Sequence, residues 1–423
     1  MENTGQIDGV QTPVEIAELQ PANAGQIDWF SASQFALSAL GVVGLWSSAL
    51  ALVVFGLAER FGVAASSGST LATFLLAAAA ALGGLLLLPS GIYAFFGLLG
   101  RSDKVPSINL GWLRPTILIF LFPLVLLLGY WVSQDASIAW LALPPLHILA
   151  IGLPVLWLLY LGIRKLPFAS PQRMWGVFGS GLVLGPVLIL ISEVFALLAF
   201  ALIGSIAIAS QPDLLRQLTL FLQNLRLENT TPENVMRIFG PYLLKPVVLF
   251  AVLTFGSVVV PLLEELIKPI GVWFLIGSNL TPAGGFVAGV LSGAGYALFE
   301  SLALTSNGTD WLYLVVARLG TAVIHILTAG LTGWALASSW RESRYFRLGL
   351  TYLTAVSIHG LWNGLTLMAT YQSLLSAQGQ QLSFPLVSRL GETAPLGLGV
   401  LALGALLVLL SSNWSLRRTY SML

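Results

Sequence analysis

The chain contains no cysteine, and only 9% of its 423 residues carry a formal charge. The absence of cysteine excludes disulfides, thiolate metal sites and a cysteine nucleophile. Water-soluble chains carry roughly 25% charged residues, so the scarcity of charge excludes an ordinary cytosolic protein. A net charge of +1 offers no electrostatic footprint for a nucleic-acid partner. Histidine is scarce as well, present only as His147, His325 and His359. Residues 1 to 32 hold Glu2, Asp8, Glu15, Glu18 and Asp28 but neither Lys nor Arg, which excludes a secretory signal and predicts a disordered acidic tail. Within that tail Gly-Gln-Ile-Asp occurs at Gly5 to Asp8 and again at Gly25 to Asp28, and reads as a short duplication.

Hydrophobic residues, by contrast, make up 57% of the chain, with a mean hydropathy of +0.88. A bilayer core takes about 20 apolar residues per helix. Ten runs of that kind lie at about 34–58, 71–100, 113–133, 142–163, 176–209, 246–276, 283–305, 311–340, 347–371 and 395–412. They are continuous and rich in Leu and Ala, without the period-2 alternation of barrel strands, so the expected fold is all-α: a polytopic transmembrane helical bundle of about ten spans. The fifth run is too long for a straight crossing and is expected to tilt or project.

Positive residues are retained on the cytoplasmic side. With the amino terminus inside, cytoplasmic joints hold Arg101, Lys104, Arg114, Arg164, Lys165, Arg173, Arg341, Arg344, Arg347, Arg417 and Arg418. The other side holds Arg60, Arg216, Arg226, Arg237, Lys245 and Arg389, so both termini are expected in the cytoplasm. The chain divides into a tail (1–32), a five-span accessory region (33–209), an extracytoplasmic loop (210–245), a four-span core (246–372) and a last span with a short cytoplasmic tail (373–423). In the loop, Ser210 and Asp213 form a capping box ahead of Leu214, Leu218, Phe221, Leu222 and Leu225 at helical spacing, which predicts an amphipathic interfacial helix. A second short helix is expected from Thr231 and Pro232.

A charge inside hydrocarbon costs several kcal/mol unless it is paired or wetted, so each one is a functional candidate. Tyr, His147 and the end residues Arg114 and Arg347 aside, the ionisable residues inside the spans are Glu193, Glu264, Glu265, Lys268, Glu300, Arg318, His325 and His359. All but Glu193 fall in four successive spans, which therefore share one polar centre. Glu264 and Glu265 point about 100° apart on a helix, yet Lys268, four and three residues on, can reach either. Pro261 and Pro269 bracket them and are expected to loosen the helix and admit water. Tyr296 and Glu300 are one turn apart, and Glu300 has no local counter-charge, so it needs a tertiary partner. Gly285, Gly289 and Gly293 form a stripe for close helix approach. Arg318, Thr321, His325 and Thr328 share a face, as do His359 and Asn363. Imidazole and carboxylate together at mid-membrane can bind zinc or activate water. His147 reads as an interfacial histidine without a role, and Glu193 as a pairing or cavity residue.

The order Glu264-Glu265-x-x-Lys268, Tyr296-x-x-x-Glu300, His325 followed by Thr328 and Gly330, then His359-x-x-x-Asn363 resembles the PrsW family of intramembrane proteases. That family is related to the CAAX prenyl protease and bacteriocin-processing group. The wider group has Glu-Glu-x-x-x-Arg and a histidine in its second motif, so Lys268 and Glu300 place this chain on the PrsW side, while Tyr296 stands where the family usually has Phe. The resemblance covers about 250 to 372. It implies peptide-bond hydrolysis in a membrane-anchored protein substrate, such as an anti-sigma factor at a site-1 position, in a prokaryotic cytoplasmic membrane. Glu264 or Glu265 would be the general base, with Lys268 orienting the pair. His325, His359 and Glu300, with Glu264, would bind a metal, Zn2+, or polarise the scissile carbonyl, and Asn363 would donate to the oxyanion. No HExxH signature is present, so a metal-free glutamate mechanism stays open. Two alternatives stand beside this reading. One is a non-catalytic scaffold or accessory subunit with a membrane-complex partner; the other is a proton-coupled transporter, for which no repeat relating two halves is visible.

Overall fold

The structure, a computed structural model, describes residues 28–63, 69–101, 119–167, 170–209, 245–306, 308–377 and 385–421, with single positions at Ile117, Arg216, Thr219 and Gln223. The Gly-Gln-Ile-Asp duplication, apart from Asp28, and the 210–245 loop, apart from those single positions and Lys245, lie outside the described residues. Within them the chain is helical, as expected: α1 Trp29–Arg60, α2 Thr70–Leu98, α3 Phe122–Ser133, α4 Ala136–Ile163. Helix α5 runs from Pro171–Gly179 through a π-helical stretch, Ser180–Leu184, into Gly185–Ala209, and α6 from Pro246–Thr254 through another, Phe255–Val259, into Val260–Ile267. After a short turn of helix at Ile270–Trp273 come α7 Pro282–Ala303, α8 Gly308–Glu342, α9 Tyr345–Ala377 and α10 Pro385–Ser421.

Among the described residues, eight of these helices are long and apolar enough to cross a membrane. The two others are α3, part of a shorter apolar helix Ile119–Ser133, and α9. Helix α9 is long, but it carries Thr351, Thr354, Ser357, His359, Asn363 and Thr366, polar residues that lower its hydropathy; of these His359 is the buried one. The first span starts earlier than the hydropathy suggests. Asp28, read as part of the tail, caps α1 by accepting from the backbone amides of Phe30 (3.1 Å) and Ser31 (3.3 Å).

Helix α7 sits at the centre, with every residue from Ala283 to Leu298 buried. Small residues make this possible. On one side Gly285, Gly289 and Gly293 meet the α8 backbone at Gly333, Ala329 and His325; on the other, Gly295 meets Phe178 and Leu182 of α5, while Gly181 of α5 meets the Ser292 carbonyl. A Cβ at Gly289 would run into the Ala329 carbonyl oxygen, a backbone atom that cannot swing aside. Gly289→Ala is therefore expected to destabilise the fold by roughly 2–3 kcal/mol, read as a lower thermal midpoint in detergent. Gly404→Ala, where nothing lies within 4 Å, leaves the midpoint unchanged or raised. Equal midpoints for the two variants would refute the tight α7–α8 contact.

The helix carrying the acidic pair is irregular because of its prolines. Pro261 has no N–H, and in the π-helical stretch before it the Val260 amide bonds to Phe255 O, five residues back. The next carbonyl in that register, Gly256 O, would need the Pro261 amide; Asn363 Nδ2 of α9 donates to it instead, at 3.0 Å. Gly360, one turn before Asn363, packs on Ser257 O of the same stretch. The bulge thus fixes α9 against α6. Pro269 then ends the helix, and side chains serve its last turns: Ser292 Oγ donates to Lys268 O (2.7 Å), Trp273 Nε1 to Leu266 O (3.1 Å) and Tyr352 to Leu262 O (2.7 Å).

His147 corrects an expectation. Helix α4 begins at Ala136, well before 142, so the residue lies inside the bundle, 1% exposed, and accepts a hydrogen bond from Trp311 Nε1 at 3.1 Å.

Candidate active site

Helices α6, α7, α8 and α9 bring Glu264, Glu265, Lys268, Glu300, His325 and His359 together, with Arg318 and Tyr296 beside them. Glu265 and Lys268 are fully buried, His325 and His359 are 1% exposed, and Glu264 is 6% exposed. Lys268 Nζ reaches both carboxylates, Glu265 Oε1 at 2.7 Å and Glu264 Oε2 at 3.5 Å. It also lies 2.8 Å from His325 Nδ1 and 5.1 Å from the centre of the Tyr296 ring. Glu300 has the tertiary partners its sequence position demands: Arg318 Nη2 and His325 Nε2, each 2.7 Å from Oε2. Arg318 Nε is in turn held by Ser301 Oγ at 3.0 Å.

The imidazole tautomers are assigned from these contacts. An ammonium only donates, so His325 Nδ1 accepts from Lys268 and the proton is on Nε2, donated to Glu300. His359 Nδ1 lies 2.9 Å from Glu265 Oε1, a close but bent contact to a group that only accepts, so its proton is on Nδ1. The lone pair of His359 Nε2 then faces Glu264 Oε2 at 3.9 Å. Two acceptors face each other, and Glu264 Oε2 is buried without a hydrogen-bond partner. The two imidazoles stand edge to face with centres 5.0 Å apart, and Tyr296 stands edge to face on His325 at 5.1 Å.

One ligand atom from each of Glu264, His325 and His359 lies within 4.8 Å of the others. A buried carboxylate oxygen without a partner, beside two imidazole lone pairs, suits a divalent cation, and a His2Glu set is a catalytic zinc donor set. Each histidine is backed by a carboxylate on its far nitrogen, Glu265 for His359 and Glu300 for His325, the arrangement that orients metal-binding imidazoles. Glu300, grouped with the ligands in the sequence reading, is occupied by Arg318 and His325 and lies outside the three-residue cluster. Asn363, expected at the oxyanion, has one amide hydrogen committed to Gly256 O.

Two residues join the site that sequence reading left aside. Arg318 was placed on the right face but given no role. Glu193 is half-buried on the stripe of α5 that includes buried Leu182 and Ile189, and its charge acts on Glu264, Glu300 and Lys268. The only signal for it in the sequence is its cost: a carboxylate inside an apolar span.

Because Arg318 clamps the carboxylate that orients His325, Arg318→Gln is expected to weaken metal binding about tenfold, and Arg318→Lys to restore most of it. Metal content after dialysis against graded chelator measures this; equal retention by all three proteins would remove Arg318 from the account.

A multi-pass helical bundle that gathers carboxylates and imidazoles in its membrane-buried interior is the architecture of an intramembrane hydrolase. The sequence matches the family model of the PrsW family intramembrane metalloproteases over residues 173–389. The chain belongs to that family: it is a multi-pass integral membrane protein and a protease. No curated protein and no solved structure matches the chain. The matched region is wider than the motifs at 250 to 372 and takes in α5 with Glu193. The scaffold and transporter readings give way to this membership.

Proposed function

We propose that the protein cleaves a peptide bond of a membrane-anchored protein substrate with water activated at Glu264, in a site that holds a divalent metal, Zn2+, on Glu264, His325 and His359. The single observation that carries this reading is the convergence of those three buried side chains within 4.8 Å, each histidine backed by its own carboxylate. The metal, when bound, supplies Lewis-acid polarisation and acidifies water. The chain's own groups do the rest. Glu264, whose Oε2 would face the metal beside the imidazole lone pairs, accepts the proton of the attacking water on its other carboxylate oxygen. Glu265, fully buried and with Oε1 engaged by Lys268 and His359, is assigned the role of fixing both. The proton on Glu264 then passes to the leaving amine. Asn363, steadied by its bond to Gly256 O, turns its second amide hydrogen to the oxyanion.

Glu300 is the most open of the set, with 32% of its side chain exposed, and half-buried Glu193 stands on α5, the helix that packs on α7, which supports entry of the substrate strand between α5 and α7. The catalytic unit is then 246–372 with α5 added, and 33–163 is accessory. The bias of Lys and Arg supports cytoplasmic termini. A reconstituted system tests the function: purified protein in liposomes with a single-span reporter releases a cleaved fragment, and Glu193→Gln slows release about tenfold or more. Full release by Glu193→Gln would close the α5 entrance, and no release by the wild type on any single-span reporter would refute the substrate class.

A further inference from the structure

We infer that the Lys268 ammonium is a resident counter-cation that a metal ion must displace, so that this lysine limits the metal affinity of the site it helps to build. The inference rests on the metal reading above and goes beyond it. Lys268 Nζ sits 2.8 Å from His325 Nδ1, the one nitrogen of that ring with a free lone pair, and 3.5 Å from Glu264 Oε2. The ammonium therefore occupies the electron pairs that a cation would take from two of its three ligands. It is fully buried, so water screens nothing between it and an incoming ion.

Charge arithmetic points the same way. Among the groups in ion-pair contact with one another, a set without Glu193, the carboxylates of Glu264, Glu265 and Glu300 face Lys268 and Arg318, a surplus of one negative charge. A divalent ion beside an unmoved Lys268 turns that into a surplus of one positive charge, whereas without the lysine charge the same ion balances the set. The backbone at Lys268 cannot retreat: Ser292 Oγ holds its carbonyl at 2.7 Å and Pro269 follows it. Only the side chain can move. The Tyr296 ring, 5.1 Å from Nζ, offers the ammonium a face to settle on while it keeps Glu265 within reach.

Zinc titration of the purified full-length protein, in competition with a chelating dye, tests this. Lys268→Gln and Lys268→Met, which remove the charge, are expected to bind zinc at least tenfold more tightly than the wild type, and Lys268→Arg, which keeps it, no more tightly. His359→Ala is the control and is expected to lose zinc. If the neutral variants bind with wild-type affinity or more weakly while His359→Ala loses the ion, the lysine inference fails and the metal reading stands. If His359→Ala binds like the wild type, or no protein binds zinc, both fail. A measurement without substitution decides the matter should the neutral variants not fold. In an experimental structure of the zinc-loaded wild type, Lys268 Nζ is expected beyond hydrogen-bond distance of His325 Nδ1, and an unmoved Nζ overturns the inference.

Discussion

Glu264→Gln is expected to lower cleavage of a membrane-anchored reporter by roughly 100- to 10,000-fold, the range that a positioned general base contributes. The amide keeps the shape of the carboxylate but cannot take a proton from water, and it binds a cation far less well. Its structural cost is small, because its ion-pair contacts are long, 3.5 Å to Lys268 and 3.9 Å to His359. Protein yield and thermal midpoint are therefore expected to stay near wild type. Glu265→Gln behaves differently: Glu265 has no exposure and carries the 2.7 Å bond to Lys268 and the 2.9 Å contact to His359. Removing its charge leaves a buried ammonium with too little compensation, so stability falls along with activity. If Glu264→Gln retained activity within tenfold of wild type while Glu265→Gln folded normally and was inactive, the two roles would have to be exchanged.

His359→Ala and His325→Ala are expected to lose metal and cleavage together, each by at least about a hundredfold, since each removes one of three donors. A side-chain role in packing alone would predict otherwise. His147→Ala makes the comparison, because His147 is as buried as the other two but bonds Trp311, away from the carboxylates. It is expected to cost stability, with cleavage per folded molecule unchanged. Loss of activity in His147→Ala with retention in His359→Ala would refute the assignment of the site. Metal content by mass spectrometry and cleavage rate, both normalised to folded protein, give the two readouts.

The sequence made the membrane character and the site's membership legible for one reason: charge inside hydrocarbon is expensive, so it stands out. Glu264, Glu265, Lys268, Glu300, His325 and His359 are all visible that way, and the structure brings them into one cluster. Gly285, Gly289 and Gly293 were legible because a stripe of glycine spaced by four has few uses besides close packing, and all three meet the α8 backbone. What periodicity could not show was which atoms pair across helices. It left Glu300 among the ligands because the approach of Arg318 depends on how α7 and α8 cross. Nor could it show the second bond of Asn363, because nothing in the sequence reveals that Pro261 strands the Gly256 carbonyl in a π-helical register. His147 was misplaced because hydropathy finds the middle of a span better than its start, and α4 begins behind an Asp135 cap. Glu193 lacked a motif, and only the packing of α5 on α7 through Gly181 and Gly295 shows which way its face turns.

The central claim is that Glu264, His325 and His359 form one metal-dependent hydrolytic centre inside the membrane. Its most direct test is the cleavage rate of chelator-stripped, reconstituted protein as zinc is added back. The expected result is no cleavage in the stripped protein and recovery that saturates near one zinc per chain. Undiminished cleavage by stripped protein held in excess chelator would contradict it.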